Sequence, residues 1–217
     1  MRELDLLDRY PRVKRNISAR EAAVPAQREI ARRFGREYFD GDRGQGYGGY
    51  RYDGRWLPIA ERMRDYYGLK PGARVLDVGC AKGFLLHDLR HVVPGIEVAG
   101  LDVSPYAIEH AMDDVRPFCV VGTADALPYA DGAFDLVVSI NTVHNLELLR
   151  CRTAICEMER VSRRGKYLQV DSYRSPEERE KFERWVLTAL THFDPDGWRA
   201  VLREAGYTGE YYWTITE

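Results

Sequence analysis

An acidic residue and a group of small residues stand together after an apolar run in the first half of the chain. They are Asp77, Gly79, Cys80, Ala81 and Gly83. Small residues let a backbone approach a ligand closely, and a helix that begins there offers unpaired N–H groups. A dinucleotide-binding GxGxxG turn would need glycines at 79, 81 and 84, which this chain lacks. The acid would also repel a pyrophosphate, so the pattern predicts a cationic group such as an amino-acid ammonium.

Further polar residues follow later apolar runs. Asp102 stands at the end of a second run, and Asn141, His144 and Asn145 come after the run 134–140. His144 could remove a proton from a substrate, although a histidine after a strand also serves as a structural hydrogen bonder. After the run 166–171 come Tyr173 and Arg174. The fork of Arg174 could hold a carboxylate or phosphate, or it could be a solvated loop residue.

The elements that would position these residues alternate along the chain. Apolar runs without polar alternation predict buried parallel strands, and the segments between them have helical spacing. Since parallel strands end at one edge of a sheet, the polar residues should meet there. We expect strands at 73–78, 96–103, 118–121, 134–140 and 166–171, with helices at 84–92, from Pro105 through Met112, and at 146–161.

The two ends of the chain differ from this middle part. Residues 1 to about 40 read as amphipathic helices, with Ser18 and Glu21 as a capping box and a helix from Pro25 toward Phe39. Residues 41–56 are rich in Gly, Tyr and Arg, which predicts a loop acting as a lid. The C-terminal part predicts helices at 176–190 and 195–205 and an edge strand at 210–216.

Three motifs together resemble class I S-adenosylmethionine-dependent methyltransferases. The first is Asp77-x-Gly79-x-Ala81-x-Gly83, where Ala81 replaces the usual middle glycine. The second is Leu101-Asp102-Val103-Ser104, and the third runs from Gly122 to Asp135. The resemblance covers about residues 70–171. It implies an α/β fold, a doubly wound and mostly parallel Rossmann-like sheet, here with an N-terminal helical extension.

The resemblance also implies a cofactor site. Asp102 would accept hydrogen bonds from the ribose hydroxyls, and Asp125 would hold the adenine amino group beside the backbone of its neighbour. Tyr50 would cover the site from the lid, and Asn145, Tyr173 and Arg174 would meet the substrate. The full set expected at the S-adenosyl-L-methionine is Asp77, Gly79, Cys80, Ala81, Gly83, Asp102, Val103, Ala124, Asp125, Ala126, Asn141 and Tyr50.

The implied activity is methyl transfer to O, N or C of a small polar molecule. Alternatives are a cofactor-binding module without turnover and a nucleic-acid methyltransferase. The lid and the segment SYRSPEE also resemble a small bacterial methyltransferase-like group associated with sugar or natural-product pathways. Residues 1–56 would form the extension and lid, and 57–217 the cofactor-binding domain. The family normally ends in a two-strand hairpin where this chain offers one strand, which would leave an edge for a homodimer.

The composition of the chain limits which partners and which location are expected. The formal net charge is −2 with a pI of about 6.2, so we expect no nucleic acid. No apolar run is long enough for a signal peptide or a membrane span. The four cysteines have no CxxC spacing, which predicts reduced thiols, no metal site and a cytoplasmic location.

Overall fold

A computed structural model describes residues 1–11 and 25–216, and these residues form one seven-stranded sheet. Its order is β1-β7-β6-β5-β2-β3-β4, and each neighbouring pair is parallel. The predicted α/β fold with a parallel sheet is therefore confirmed. The strands are β1 Arg2–Glu3, β2 Arg74–Val78, β3 Glu97–Asp102, β4 Cys119–Val121, β5 Phe134–Ile140, β6 Ser162–Ser172 and β7 Glu210–Ile215.

Helices cover both faces of this sheet. Ser104, Ser175 and Asp194 each cap a helix by accepting a hydrogen bond from a backbone N–H in its first turn, and each is followed by proline. None of the described helices is long and apolar enough to cross a membrane. The helices are α1 Pro25–Ala31, α2 Arg36–Asp40, α3 Leu57–Tyr67, α4 Phe84–Val92, α5 Pro105–Glu109, α6 Leu148–Val161, α7 Pro176–Trp185 and α8 Pro195–Glu204.

The continuous apolar strands have a direct packing reason. In β2, Leu76 and Val78 belong to the core cluster that includes residues of α6 and α8. Val75 on the opposite face packs in the cluster with residues of α3 and α4. Because both faces of the strand are buried, apolar side chains are favoured on both, and the sequence does not alternate between apolar and polar residues.

The structure corrects several expectations at the two ends. Residues 2–3 form β1, not a helix, and they pair with Glu210 and Tyr211 of β7. The strand β7 therefore lies inside the sheet and is not its edge. The helix expected from Pro25 to Phe39 is broken around Phe34, whose φ is +49°. Ser18 and Glu21 lie outside the described residues.

Two further differences concern helices. The sequence interpretation missed α3, whose buried residues Ile59, Ala60 and Met63 belong to the core cluster that also contains Val75 of β2 and residues of α4. The helix expected at 176–190 ends at Trp185, because the backbone becomes extended at Val186. The lid segment 41–56 contains no helix or strand, as expected for a loop.

Candidate active site

A cavity of about 1130 Å³ opens at the carboxyl ends of the central strands. Its lining includes the lid, the turns after β2 and β3, and the ends of β5, β6 and β7. Gly83, Asp125, Ala126 and Tyr173 were predicted at the site and are not part of this lining. The predicted residues that do line it are Asp77, Gly79, Cys80, Ala81, Asp102, Val103, Ala124, Asn141, Tyr50, His144, Asn145 and Arg174.

The turn after β2 is shaped by close packing. Gly79 has φ +86°, and a Cβ there would lie 2.0 Å from the Thr142 hydroxyl oxygen. Glycine is thus required because the loop after β5 passes directly against it. Ala81 has φ +49°, a left-handed conformation that is unfavourable for a residue with a side chain. This is the position where the resembled motif has its middle glycine.

Asp77 is a buried carboxylate at the end of β2. It is 6% exposed, and no hydrogen bond to its side chain is found among the described residues. Burial, and then the charge of Asp102, raise the pKa of Asp77 to about 7. Because an unpartnered buried carboxylate is costly, this position suits a ligand that brings a positive donor.

Asp102 lies on the neighbouring strand β3 and is held by its own loop. Its Oδ2 accepts a hydrogen bond from the backbone N–H of Ala81 at 2.8 Å, and its Oδ1 accepts one from Ser104 at 2.9 Å. Burial raises the pKa of Asp102, while these two backbone donors act in the opposite direction. Each oxygen keeps a further acceptor site, which could take a hydroxyl donor of a ligand.

The structure does not bring Asp125 to the cavity wall. Its carboxylate accepts a hydrogen bond from Arg150 Nε at 2.6 Å and also contacts the Thr123 hydroxyl. The hydrogen bond from Arg150 holds the pKa of Asp125 below its usual value. Thr123 and Arg150 line the cavity in its place. Sequence reasoning missed Arg150, since no local pattern connects positions 125 and 150.

His144 is fully enclosed, and its geometry favours the structural alternative. Its Nδ1 accepts a hydrogen bond from the backbone N–H of Asp171 at 3.1 Å, so the ring proton belongs on Nε2. Nε2 lies 3.5 Å from the carboxylate of Asp171. Burial lowers the pKa of His144, which keeps the ring neutral near pH 7. With Nδ1 already bonded, removing a proton from a substrate would require this contact to break.

The lid is fastened to the turn after β2. The Tyr50 ring stacks on Phe84, the first residue of α4, with 4.8 Å between centroids. Asp40 accepts hydrogen bonds from the Tyr50 N–H at 3.1 Å and from Lys82 Nζ at 2.6 Å. Lys82 also donates to the Tyr50 carbonyl at 3.0 Å. A third donor to Asp40 is the Tyr106 hydroxyl at 2.7 Å. We call Asp40, Tyr50, Lys82 and Tyr106 the latch.

Tyr50 was predicted at the site, whereas the other three latch residues, Asp40, Lys82 and Tyr106, were not. Burial would raise the pKa of Asp40, but hydrogen bonds from Lys82 and Tyr106 outweigh it and hold the pKa below 3.8. Lys82 is 7% exposed, so its ammonium group is largely shielded from water. The ion pair with Asp40 compensates its charge. A lysine within the glycine-containing turn was the available signal. Its partner lies 42 positions earlier, beyond any local pattern.

A family model described as "Methyltransferase domain" matches residues 76–170. This match begins inside β2 and ends inside β6, so it contains both buried carboxylates. Over this range the chain is similar to methyltransferase domains. The lid, α7, α8 and β7 lie outside the matched range.

Relatives support this domain over similar stretches. A malonyl-[acyl-carrier protein] O-methyltransferase of Hahella chejuensis is 37% identical over 68 residues, which are 30% of this chain and 24% of that protein. An uncharacterized methyltransferase of Synechocystis is 34% identical over 98 residues, 45% of each chain. This chain thus matches less than half the length of these two curated relatives.

The fold of the methyltransferase domain also recurs in solved structures. A Haloferax volcanii protein, solved in complex with the Trm112 methyltransferase activator, aligns with a TM-score of 0.54 at 22% identity. The alignment covers 70% of this chain and 74% of that one. This similarity concerns the fold and extends beyond the family match on the sequence.

Proposed function

We propose that this chain is an S-adenosylmethionine-dependent methyltransferase whose cavity holds the cofactor beside a small polar acceptor. The observation that carries the proposal is the pair of buried carboxylates, Asp77 and Asp102, on adjacent parallel strands. Burial makes ionisation of both acids costly, and the charge of Asp102 adds to this cost for Asp77, so the arrangement is stabilised when a ligand supplies donors. An ammonium group would pair with Asp77, and ribose hydroxyls would donate to Asp102.

The residues present fit this cofactor in other respects. Val103, the residue after Asp102, exposes 53% of its surface beside the cavity and offers an apolar face for a ring. The cavity volume of about 1130 Å³ exceeds the roughly 300–1,000 Å³ of most small-molecule pockets, which leaves room for a second ligand. The family match and the curated relatives support methyl transfer as the reaction.

The bound cofactor would supply a methyl group activated on a sulfonium. The contribution of the chain is to align the acceptor and to exclude water. Tyr50, stacked on Phe84, closes the cavity from the lid, and an aromatic face there favours a nearby cation by roughly 0.5–2 kcal/mol. Asn145 and Arg174 line the same cavity and would orient the acceptor, which is methylated on O, N or C.

Titration calorimetry with S-adenosylhomocysteine and with NAD⁺ tests the proposal. We expect the demethylated cofactor to bind and NAD⁺ to bind far more weakly, since Asp77 would meet the pyrophosphate. The reverse preference would overturn the cofactor assignment. Tight binding without methyl transfer to any acceptor in a chemically diverse panel would instead identify a non-catalytic cofactor-binding module.

A further inference from the structure

A chain of four hydrogen bonds leads from the N-terminal segment to the cavity. The backbone N–H of Leu6 donates to the Tyr167 hydroxyl at 3.3 Å, and this hydroxyl donates to Gln169 Oε1 at 2.8 Å. Gln169 Nε2 donates to the Thr214 hydroxyl at 2.9 Å, which donates to Asn141 Oδ1 at 2.9 Å. The bonds connect β6 and β7 to the residue after β5, and we call them the relay.

The direction of the relay is set at its start. A backbone N–H can only donate, so the single proton of the Tyr167 hydroxyl is left for Gln169 Oε1. This fixes the amide of Gln169 with its nitrogen toward Thr214. The Thr214 hydroxyl therefore accepts from Gln169 and has its own proton available for Asn141. Each amide orientation follows from the bond before it.

The relay determines what Asn141 presents to a ligand. Asn141 lines the cavity with a φ of +53°, a conformation that asparagine tolerates better than most residues. Since Oδ1 is taken by Thr214, the side chain offers the two N–H donors of Nδ2. Within the described part of the chain, Nδ2 has no hydrogen-bond partner.

Two guanidinium groups add to this donor character. Arg51 of the lid and Arg174 after β6 line the cavity, and both side chains are exposed. Neither guanidinium has a hydrogen bond or ion pair with the residues that the structure describes. By contrast, Arg55 and Arg150, which also line the cavity, are paired with Asp53 and Asp125.

The acceptor groups on the wall are mostly assigned. Four carboxylates line the cavity: Asp77 and Asp102 belong to the proposed cofactor site, Asp5 accepts a hydrogen bond from the Leu7 N–H at 2.9 Å, and Asp171 faces the Nε2 of His144 at 3.5 Å. The buried Oδ1 of Asn145 is the exception, since it has no partner among the described residues and would take a single donor from the acceptor. Among these side chains of the cavity wall, the hydrogen-bond donors without an assigned partner thus outnumber the acceptors without one.

We propose that the methyl acceptor carries an oxyanion group, held by Asn141 Nδ2 together with Arg51 and Arg174. This assigns Asn141, which the sequence placed in the cofactor set, to the acceptor. Planar guanidinium and amide donors suit a carboxylate or a phosphate oxygen. Thr214 and Gln169 act as positioning residues, because they set the orientation of the Asn141 amide. The inference rests on the proposed function and adds the chemical class of its second ligand.

The test uses the full chain saturated with S-adenosylhomocysteine. Calorimetry compares aliphatic carboxylates with their neutral amides (succinate with succinamide, and shorter and longer pairs) and inorganic phosphate with neutral glycerol. We expect at least one anion to bind ten times more tightly than its neutral counterpart. The group that binds, carboxylate or phosphate, identifies which oxyanion the acceptor carries.

Variants separate the relay from general damage. Thr214→Val removes the hydroxyl at nearly constant shape, whereas Thr214→Ser keeps it. We expect the valine variant to lose about tenfold in anion affinity and the serine variant to retain it, with affinity for S-adenosylhomocysteine within twofold in both. Arg174→Gln should lose a similar factor, while Arg203→Gln, on exposed α8 surface outside the cavity lining, should not.

The outcomes distinguish the two proposals. Anions that bind no better than their neutral partners, or equal anion affinity in Thr214→Val and Thr214→Ser, would overturn the inference while leaving the cofactor assignment intact. A wild-type chain that fails to bind S-adenosylhomocysteine would overturn the proposed function itself, and the inference with it.

Discussion

Two walls of the cavity are built in different ways. The strand-end wall consists of residues 77–83 and 101–104, and the lid wall consists of residues 40–56. In the strand-end wall, Asp102 is held by backbone N–H groups of Ala81 and Ser104 in the adjoining loops. In the lid wall, Asp40 is held by side chains from distant segments. The first wall follows from strand topology, while the second depends on contacts that form only in the folded chain.

The two walls meet at Lys82. This residue belongs to the turn after β2, yet its ammonium binds Asp40 and the Tyr50 carbonyl of the lid wall. A ligand that shifts the turn would therefore also act on the lid. The comparison predicts that changes in the strand-end wall alter cofactor affinity directly, and that changes in the latch alter it through lid closure.

The largest effect is expected from Asp102→Ala. The change removes the acceptor proposed for the ribose hydroxyls and leaves those ligand groups unpaired, which costs about 1–3 kcal/mol. Affinity for S-adenosylhomocysteine should fall roughly 5- to 150-fold in calorimetry. Asp113→Ala is the matched control, because that carboxylate is 90% exposed and its ion pair within the described residues is with Arg116.

Loss of the ligand-free fold would also weaken binding, so thermal melts without ligand accompany the titrations. Asp102→Ala also frees the N–H groups of Ala81 and Ser104, and a modest fall in melting temperature is expected. A variant that is folded at the titration temperature and binds as tightly as wild type would remove Asp102 from the cofactor site.

Lys82→Met should act on the lid wall. It leaves Asp40 without its cation in a setting where the lysine side chain is 9% exposed, so the free energy of unfolding should fall by about 2 kcal/mol. Limited proteolysis within residues 41–56 should become faster, and S-adenosylhomocysteine should protect this segment in the wild type. Arg64→Met, which breaks the exposed pair with Asp65, should change neither measurement.

A passive linker would behave differently in that experiment. Cleavage at 41–56 that is equally fast in the wild type with and without ligand, together with unchanged affinity in Tyr50→Ala, would show that the segment only packs the N-terminal helices onto the sheet. The Tyr50 and Phe84 stack would then be structural.

The contrast between the walls explains what the sequence could predict. Asp77 and Asp102 were identified because each lies at the carboxyl end of a buried strand, and parallel strands must end at one edge. The bounds of α4 at Phe84–Val92 were also predicted, because its apolar spacing and the two strands that flank it are local signals in the sequence. Such features depend on residues close together in the chain.

Features that depend on distant contacts were missed or misplaced. The two residues of β1 are a strand only because β7, more than 200 positions later, provides backbone partners. Arg150 is placed by Asp125, and Lys82 by Asp40. No periodicity or spacing encodes these pairs. For α3, the buried Ile59, Ala60 and Met63 were an available signal that the glycine-rich loop before them obscured.

The pH dependence of binding sharpens the role of Asp77. Its pKa of about 7 in the free protein would fall when an ammonium group binds, since a cation favours the ionised carboxylate. Affinity for S-adenosylhomocysteine should therefore rise with pH up to about 7, by at most tenfold per unit, and then level off. In Asp77→Asn the dependence between pH 5.5 and 7.5 should disappear. The same acid slope in both proteins would mean that another group titrates.

The contribution of Asp77 to the free energy of unfolding should decrease with rising pH, whereas ligand affinity should increase. The folded-state pKa of Asp77 is raised above its ordinary value of 3.8, so its contribution to stability is present below about pH 4 and is lost as pH rises toward 7. Without ligand, Asp77→Asn should thus gain melting temperature relative to wild type between pH 5 and pH 8. A difference between the two proteins that does not change with pH would contradict the burial of an ionised Asp77.

The smallest expected effect concerns Ala81, where the strand-end wall departs from the glycine of the resembled motif. Its φ of +49° strains a residue with a Cβ by about 1–2 kcal/mol, whereas glycine adopts this conformation freely. Glycine also gives the unfolded chain more freedom, which offsets about 0.4–1 kcal/mol of the gain. Ala81→Gly should therefore raise the free energy of unfolding by up to about 1 kcal/mol, measured by urea denaturation. Its N–H should still donate to Asp102, so cofactor affinity should stay within about twofold. A clear loss of affinity in this variant would mean that the Ala81 methyl group itself contacts the ligand.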